Sequence, residues 1–271
     1  MSRPAARTRF LSALDARAEL RPDEVTEGWV LSIGGAEQSH VDPLRPERVL
    51  YEYLCRIAGV VELIEPIGEP LRAVHLGGGA MTLPRFLAVT RPGSPQTVVE
   101  LARELPGFVL EHLPWPVGAD VEVRIGDARA ELAALAESAA APADLVVLDV
   151  FAGSEAPPHL RERSFYRELG EALAPDGVVA VNVGDDPGLG FFAEQAEAML
   201  GATDDAGAPV FADLWCLTEA AMLSRDRPGN LILVGGRHPL PRHWLERLRA
   251  TGPHPAAVLD RMELEDWLSR W

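Results

Sequence analysis

Three consecutive glycines at positions 77–79 end a short apolar run and constrain the fold more than any other feature of the sequence. The run reads Arg-Ala-Val-His-Leu from position 72, which predicts a buried strand that breaks into a glycine turn. Glycine lets the backbone approach a ligand closely, and Glu100 ends the next apolar run, where a carboxylate can bind both hydroxyls of a ribose. The two features predict a nucleoside site on a doubly wound sheet, although tight turns without a ligand also use glycine.

Short apolar runs recur along the chain and alternate with helix-like stretches. Each run is rich in valine and leucine, as expected of strands that are buried on both faces of a parallel sheet. Helical periodicity separates the runs, for example over residues 131–138 and 165–174. This alternation predicts an α/β fold. The further predicted strands cover residues 121–125, 144–149, 178–182 and 230–234.

Acidic residues end or directly follow three of the predicted strands, namely Glu100, Asp127 and Asp149. Ligands of open α/β sheets bind at the carboxyl ends of the strands, so these side chains are candidate ligand contacts. Capping of the following helix is the alternative for each residue alone, because acidic side chains satisfy free backbone N–H groups there. The presence of all three at strand ends favours the binding hypothesis.

The charge of the chain excludes several classes of chemistry. The chain has 271 residues and a formal net charge of −16, and its 25 lysine-plus-arginine positions are all arginine. A Walker-type phosphate loop and a pyridoxal Schiff base both require lysine, so neither is available. Nucleic acid requires clustered positive charge, which argues against that partner, whereas a cationic small molecule would be attracted.

Other features bear on location and on metals. No apolar run approaches the roughly 20 residues needed to cross a bilayer, so no membrane association is expected. The arginine-rich start of the chain lacks the apolar stretch of a secretory signal. Cys55 and Cys216, the two cysteines, lack a metal-type spacing and suit a reducing cytoplasm. The histidines near the carboxyl terminus lack partners at ligand spacing, so no metal is expected.

The segment before the glycine run has a different pattern. Residues 28–33 and 36–41 flank a Gly-Gly pair and predict a β-hairpin, and apolar residues at helical spacing follow over 48–64. We therefore divide the chain into three parts. These are a flexible, solvated tail over residues 1–22, a β-hairpin with a linking helix over 23–66, and the main sheet domain over 67–271.

Several motifs follow one another in a set order. They are the Gly-Gly-Ala-Glu-Gln-Ser hairpin, a helix with Tyr51 and Tyr53, the glycine run, Glu100, the Gly-Asp-Ala triplet at 126–128, Asp149, the Ser-Phe-Tyr triplet at 164–166 and the Gly-Asn pair at 229–230. This order resembles the spermidine synthase family, a branch of the class I S-adenosylmethionine-dependent transferase fold. The resemblance implies a doubly wound, Rossmann-like class I methyltransferase sheet with a small N-terminal β-hairpin appendage.

The resemblance also implies roles for individual residues. Asp149 matches the first aspartate of the family's catalytic loop, which is placed to accept a proton from an attacking amine. A carboxylate there orients the amine and removes its proton as the carbon–nitrogen bond forms. The implied cofactor is S-adenosylmethionine or its decarboxylated form, and its implied contacts are Gln38, Gly77, Gly78, Gly79, Glu100, Asp127 and Ala128. The acceptor contacts that we predict are Tyr53, Tyr166 and Asp185.

The sequence departs from the family pattern at two charged positions. Aminopropyltransferases of the family carry an aspartate after the glycine run and a second aspartate in the catalytic loop, where this chain has Ala80 and Ala152. The first carboxylate would pair with the ammonium group of the decarboxylated cofactor, and loss of such a pair costs about 2 to 5 kcal/mol. The loop over residues 151–160 is retained, contains two prolines that stiffen it, and is expected to act as a lid.

Three hypotheses follow for the function. The first is an amine-directed methyltransferase that uses intact S-adenosylmethionine on an altered acceptor. The second is a polyamine aminopropyltransferase that makes spermidine from putrescine, with amine contacts from other acids such as Glu155, or Asp185 with Asp186. The third is a regulatory protein that binds the nucleoside without chemistry, against which Asp149 argues. The partner is an amine-type small molecule in the first two, and the resemblance implies a homo-oligomer, such as a dimer.

Overall fold

Two sheets organise the chain in the computed structural model, which describes residues 5–137, 142–150 and 156–270. The smaller sheet is antiparallel and lies near the amino terminus. Its four strands are, in both chain order and spatial order, β1 (Arg7–Leu11), β2 (Ala16–Pro22), β3 (Trp29–Ile33) and β4 (Ala36–Val41).

The β-hairpin predicted around the Gly-Gly pair is confirmed by the pairing of β3 with β4. Gly34 and Gly35 have φ angles of 60° and 89°, and a tight two-residue hairpin turn of type I′ requires positive φ at both central positions. Glycine adopts this conformation without the steric cost that other residues meet. The local sequence therefore determines this turn.

The flexible tail predicted over residues 1–22 is corrected by the structure for residues 7–22. There β1 pairs with β2, and β2 pairs with β3, so the hairpin is part of a four-stranded sheet. Leu11, Ala18 and Leu20 are buried in a cluster with apolar residues of the following domain. Arg7, Arg9 and Arg17 on the same two strands are exposed, and this makes strands with one buried face resemble a solvated tail in the sequence. The first four residues lie outside the described part of the chain.

The larger sheet has eight strands in the spatial order β12-β10-β11-β9-β8-β5-β6-β7. Strands β5 to β9 are parallel to one another. The strands are β5 (Ala73–Leu76), β6 (Pro95–Glu100), β7 (Asp120–Ile125), β8 (Ala143–Leu148), β9 (Leu173–Asp185), β10 (Asp213–Glu219), β11 (Gly229–Gly236) and β12 (Ala256–Leu259).

The parallel arrangement expected for the strand over 230–234 is corrected, because the sheet is mixed. This strand, β11, runs antiparallel to its neighbours β9 and β10, and β12 runs antiparallel to β10. Only residues 220–228 join β10 to β11, and a parallel crossover needs a dozen or more residues. The short connection therefore requires the antiparallel pairing.

Helices cover both faces of the larger sheet. On β8, Val146 and Leu148 belong to one apolar cluster and Leu145 and Val147 to another, so alternate residues pack on opposite faces. No helix in the described part of the chain has both the length and the apolar character needed to cross a membrane. The helices are α1 (Glu52–Leu63), α2 (Thr82–Thr90), α3 (Glu104–His112), α4 (Ala128–Glu137), α5 (Arg163–Glu171), α6 (Gly190–Leu200), α7 (His243–Thr251) and α8 (Arg261–Ser269).

A buried arginine joins α2 to α1. Arg91, directly after α2, donates hydrogen bonds to the backbone carbonyl groups of Val61, Ile64, Pro66 and Glu69. These carbonyls belong to the last turn of α1 and the loop after it, where a helix has no partners of its own for them. Arg91 thereby fixes the end of α1 against the sheet domain.

Candidate active site

A cavity of about 600 Å³ lies at the carboxyl ends of the parallel strands, between the two sheets. This volume is within the range of small-molecule sites. Ile33, Gln38 and Ser39 of the smaller sheet and Leu14 of the turn between β1 and β2 form one part of its wall. The glycine run and the residues that follow the strands form another. A ligand in the cavity would therefore contact both sheets.

The wall of the cavity is acidic. Glu37, Glu100, Asp127 and Asp149 line it, and no arginine lines it within residues 5–137, 142–150 and 156–270. Without positive side chains to pair with an anion, the cavity disfavours phosphate and attracts a cation. A positively charged sulfonium nucleoside fits this distribution of charge.

The glycine turn brings the ends of β5, β6 and β8 close together. Gly77 and Gly79 have φ angles of 102° and 49°, which other residues rarely adopt. A Cβ atom on Gly77 would lie 2.2 Å from the carbonyl oxygen of Asp149, so no side chain fits there. Behind the turn, the Ala80 N–H donates to Ser39 Oγ at 3.2 Å, which ties the turn to β4.

Glu100 ends β6, and backbone N–H groups hold its carboxylate in place. Gly78 N donates to Oε2 at 3.0 Å, and Ala102 N donates to Oε1 at 2.8 Å. Each carboxylate oxygen has a second lone pair, so both oxygens can still accept a hydrogen bond from a hydroxyl group. This geometry suits the two neighbouring hydroxyls of a ribose.

Asp127 lies before α4 and serves partly as a helix cap. Its Oδ1 accepts hydrogen bonds from the N–H groups of Arg129 and Ala130, each at 3.1 Å, while Oδ2 lies 2.7 Å from His159 Nε2. Desolvation acts to raise the pKa of Asp127, but the bonds from His159 and the backbone outweigh it and hold the pKa below its usual value. Ala128 lines the cavity beside it.

Asp149 follows β8 directly, and its half-buried side chain lies in the wall of the cavity. Its Oδ1 accepts a hydrogen bond from Asn182 Nδ2 at 2.7 Å, and its Oδ2 accepts one from the Tyr53 hydroxyl at 3.3 Å. Desolvation raises the pKa of Asp149, while these two hydrogen bonds act to lower it. A carboxylate with a raised pKa beside a cavity is suited to accept a proton from a bound molecule.

Tyr53 donates this hydrogen bond from α1. Desolvation, with the negative charge of Asp149, raises the pKa of the Tyr53 hydroxyl well above its usual value, so it remains a neutral donor. The same hydroxyl lies 3.4 Å from the backbone oxygen of Gln38, whose exposed side chain lies at the edge of the cavity. Tyr53 and Gln38, both predicted site residues, are therefore neighbours.

Two predicted acceptor contacts do not line the cavity and are corrected. Tyr166 faces the core side of α5, is fully buried, and donates its hydroxyl to Gln195 Oε1 of α6 at 2.9 Å. Asp185 accepts hydrogen bonds from Phe192 N at 2.7 Å and Asp186 N at 2.8 Å, so its carboxylate fixes the start of α6. The suggestion that Asp185 and Asp186 together bind the amine is also corrected, because neither residue lines the cavity.

Part of the predicted lid falls outside the described residues. Ala152 and Glu155 belong to that part, so their predicted roles stay predictions. The second half of the segment is described from residue 156, and Pro157 and Leu160 line the cavity.

His75 on β5 is neutral and paired. Its Nε2 lies 3.0 Å from Gln96 Oε1, and complete burial lowers the pKa of the ring to about 4. His75 is therefore a hydrogen-bonded core residue that also borders the cavity. Within the described ranges, no group of three or more histidine, cysteine, aspartate or glutamate side chains is arranged to hold a metal ion.

No family model matches the chain. In sequence it is similar to a polyamine aminopropyltransferase of Vibrio vulnificus strain CMCP6, with 29% identity over 142 residues, which are 52% of this chain and 46% of the relative. The chain thus aligns with about half the length of that curated relative. In structure it is similar to a probable spermidine synthase from Corynebacterium glutamicum, with a TM-score of 0.83 and 28% identity over 98% of this chain and 94% of that chain. The resemblance to the spermidine synthase family is confirmed.

A third comparison concerns the fold alone. Human methyltransferase-like protein 13 in complex with SAH has a TM-score of 0.56 and 24% identity, with coverage of 80% of this chain and 91% of that chain. The spermidine-synthase-like chain therefore has the predicted Rossmann-like methyltransferase sheet. The N-terminal appendage is a four-stranded sheet, larger than the predicted hairpin.

Two polar residues of the site were not predicted. Asn182 lies within the apolar run of β9 and binds Asp149, and Asn230 at the start of β11 binds Asn182. A signal was present, since each asparagine interrupts or begins a strand of otherwise apolar residues. Their meeting depends on the antiparallel pairing of β9 with β11, which the sequence pattern did not predict.

Proposed function

We propose that the protein is an aminopropyltransferase that moves the aminopropyl group of decarboxylated S-adenosylmethionine to an amine-type small molecule. The observation that carries this proposal is Asp149, whose carboxylate is held between Tyr53 and Asn182 in the wall of an acidic cavity. The similarity to a polyamine aminopropyltransferase and to a probable spermidine synthase favours aminopropyl transfer over methyl transfer.

The residues around the cavity fit a sulfonium nucleoside. Glu100 would hold the ribose, and Asp127 and Ala128 would contact the adenine. Gln38 would help to hold the nucleoside, and the glycine turn would lie beneath its methionine-derived chain. When bound, the nucleoside supplies a carbon next to a positive sulfur, so that an amine lone pair can form the new bond while the carbon–sulfur electrons stay on the sulfur as a neutral thioether. The acidic wall stabilises the positive charge of such a ligand before transfer.

Asp149 would act on the acceptor in two ways. Its carboxylate accepts a hydrogen bond from the acceptor N–H, which directs the nitrogen lone pair into the cavity. It then takes the proton that the nitrogen must lose as its new bond forms. Tyr53 and Asn182 each donate to one oxygen, so the carboxylate keeps its orientation during both steps.

Methyl transfer remains the second candidate because of Ala80. The resemblance implies that a carboxylate at this position pairs with the ammonium group of the decarboxylated cofactor. Here the position holds a fully buried alanine whose N–H is bound to Ser39. An enzyme that uses intact S-adenosylmethionine has no need for that carboxylate.

A mass-spectrometric assay with both cofactors and a panel of diamines and polyamines tests the proposal. We expect a mass gain of one aminopropyl unit with the decarboxylated cofactor. A gain of one methyl group with intact S-adenosylmethionine would support the second candidate instead. A thermal shift measures binding separately, because a ligand at 100 times its Kd adds about 2.7 kcal/mol of stability. Binding without product would support the regulatory hypothesis, and no shift with either cofactor would contradict all three.

We also propose a cytoplasmic location and a homo-oligomeric state, such as a dimer. The location is supported by the two free thiols, Cys55 and Cys216, neither of which forms a disulfide. The oligomeric state is supported only by the resemblance to the spermidine synthase family. Light scattering of the purified chain tests it, and a monomeric mass would contradict it.

A further inference from the structure

Two asparagines form a hydrogen-bonded chain behind Asp149. Asn182 Nδ2 donates to Asp149 Oδ1 at 2.7 Å, and Asn230 Nδ2 donates to Asn182 Oδ1 at 3.0 Å. This chain of hydrogen bonds runs from β11 across the neighbouring strand β9 to the end of β8. Asn182 is buried and Asn230 is half-buried, and both line the cavity.

The charge of Asp149 gives this chain a direction. An asparagine side chain has one oxygen that accepts and one nitrogen that donates. Asn182 must turn its nitrogen toward the carboxylate, because its oxygen would there meet another acceptor. Its oxygen then faces Asn230, which supplies the matching donor. Asn230 thus stabilises the one orientation of the Asn182 amide that binds the ionised carboxylate.

We propose that Asn230 is a positioning residue for the transfer reaction, because it holds the Asn182 amide in the orientation that directs the Asp149 carboxylate toward the acceptor amine. This inference rests on the proposed function. Asn230 reaches the carboxylate through Asn182 alone, so its contribution should disappear when the Asn182 amide is absent.

Loss of the Asn230 donor would alter the proton affinity of Asp149. Without it, the Asn182 amide can rotate and present its oxygen to Asp149, which favours the protonated carboxyl, and a protonated carboxyl cannot accept a proton. The substitution leaves the other titratable groups around Asp149 in place. These are Tyr53 of α1, His75 of β5, Glu37 of β4, Glu100 of β6, and Tyr51 and Asp127 before α1 and α4.

A double-mutant cycle on Asn182 and Asn230 tests the inference. The variants are Asn230→Leu, which has nearly the same shape but no donor, Asn182→Ala, and the double variant. The pKa of Asp149 is read from the carboxyl carbon by NMR in aspartate-labelled protein, with Asp149→Asn as the assignment standard. We expect Asn230→Leu to raise this pKa by about one unit and to lower kcat near neutral pH by about tenfold. In the Asn182→Ala background, the same substitution should change kcat by less than about twofold.

Thr218→Val is the matched control. The Thr218 hydroxyl donates to the backbone oxygen of Asn230 at 3.1 Å and does not touch the amide chain, so the titration of Asp149 should stay unchanged. If Asn230→Leu does not fold, Asn230→Ala removes the donor without placing a branched apolar side chain in the cavity wall and is held to the same expectations.

The NMR titration requires no turnover, so it separates this inference from the proposed function. If the pKa of Asp149 shifts in a protein that transfers no aminopropyl group, the role of the two asparagines stands. The proposed function would then be overturned. An unshifted titration in Asn230→Leu would overturn the inference. Equal effects of Asn230→Leu with and without the Asn182 amide would also overturn it.

Discussion

Asp149 combines two properties that a general base needs, access to a bound molecule and a fixed direction. The cavity provides the access, and the two donors Tyr53 and Asn182 provide the direction. Both donors are neutral, so they do not cancel the negative charge that attracts a proton. Desolvation, which raises the pKa of Asp149, makes the carboxylate a stronger base than an exposed aspartate.

We predict that Asp149→Asn lowers turnover by about 10²- to 10⁴-fold, because the amide cannot accept the proton of the acceptor. Cofactor affinity, measured by calorimetry, should stay within about threefold, since the substitution preserves shape near the nucleoside. Asp185→Asn is the control, because Asp185 ends the neighbouring strand β9 but does not line the cavity. Substantial turnover in Asp149→Asn would show that another group takes the proton.

We predict that Glu100→Ala weakens cofactor binding by about 10- to 150-fold. Loss of charge-assisted hydrogen bonds to the ribose removes about 1.5 to 3 kcal/mol. The measurement is the Kd from calorimetry, with the melting temperature as a check on folding. Glu122→Ala on the neighbouring strand β7 is the control, because Glu122 pairs with Arg124 at the surface. An unchanged Kd in Glu100→Ala would place the ribose elsewhere.

The acid side of the pH–rate profile should depend on Tyr53. Protonation of Asp149 removes the base, so turnover falls as the pH drops through its pKa, which desolvation has raised. The Tyr53 hydroxyl opposes that rise, so Tyr53→Phe should move the acid limb of kcat to higher pH. Tyr51→Phe, which removes a hydroxyl bonded to Glu37, should leave the limb in place. A shift to lower pH in Tyr53→Phe would contradict the assignment of the base.

At the scale of elements, α1 positions Tyr53 at the cavity, and Arg91 holds the carboxyl end of this helix in place. Arg91 is 2% exposed, and its guanidinium satisfies backbone carbonyls that would otherwise be buried without donors. Its burial lowers the pKa of Arg91 through desolvation of the charged guanidinium. The lysine-free chain thus uses the several donors of one arginine to fix a helix end.

We predict that Arg91→Met lowers the free energy of unfolding by about 3 kcal/mol, because several buried carbonyl groups lose their donors. Urea denaturation measures the change, with the exposed Arg247→Met on α7 as the control. A change below about 0.5 kcal/mol, the size expected of surface substitutions, would contradict the structural role of Arg91.

The accuracy of the sequence prediction differs between elements for physical reasons. β5, β8 and β9 were predictable because burial on both faces makes their sequences continuously apolar. β1 and β2 were not, because their exposed faces carry arginine. β12 was not, because it pairs with β10, from which residues 220–255 separate it in the chain, and no local turn marks it. Strand direction likewise depends on the length of connections as much as on the strands themselves.

The candidate site was predictable where the backbone geometry imposes a residue type. Gly77 and Gly79 need glycine, and Glu100 and Asp149 directly end or follow strands whose carboxyl ends meet. Tyr166 was wrongly placed because a sequence motif does not reveal which face of a helix is buried. Asp185 was wrongly placed because its carboxylate binds backbone N–H groups at and just before the start of α6, and the sequence pattern did not show this contact. Asn230 could not be predicted as part of the site, because its role depends on the three-dimensional neighbour Asn182.

At the scale of the whole molecule, the protein carries a net charge of −16 and its cavity is also acidic. The combined field should attract cationic substrates toward the cavity. We predict that kcat/KM for a polyamine acceptor falls about tenfold from low salt to 0.5 M salt, because mobile ions screen the attraction. The decline should be steeper for a triamine than for a monoamine. The Kd of an uncharged thioether nucleoside is the control and should change little with salt. Equal salt dependence for charged and uncharged ligands would contradict the electrostatic explanation.

The cavity wall contains Leu14, Ile33 and Ser39 from the small sheet as well as the strand ends of the large one. A molecule bound there therefore links two regions of the chain that form separate sheets. Part of its binding free energy stabilises the packing of these sheets against each other, so the N-terminal strands open less often when the ligand is bound. When the site is occupied, we therefore expect slower amide hydrogen exchange in strands that make no contact with the reacting atoms.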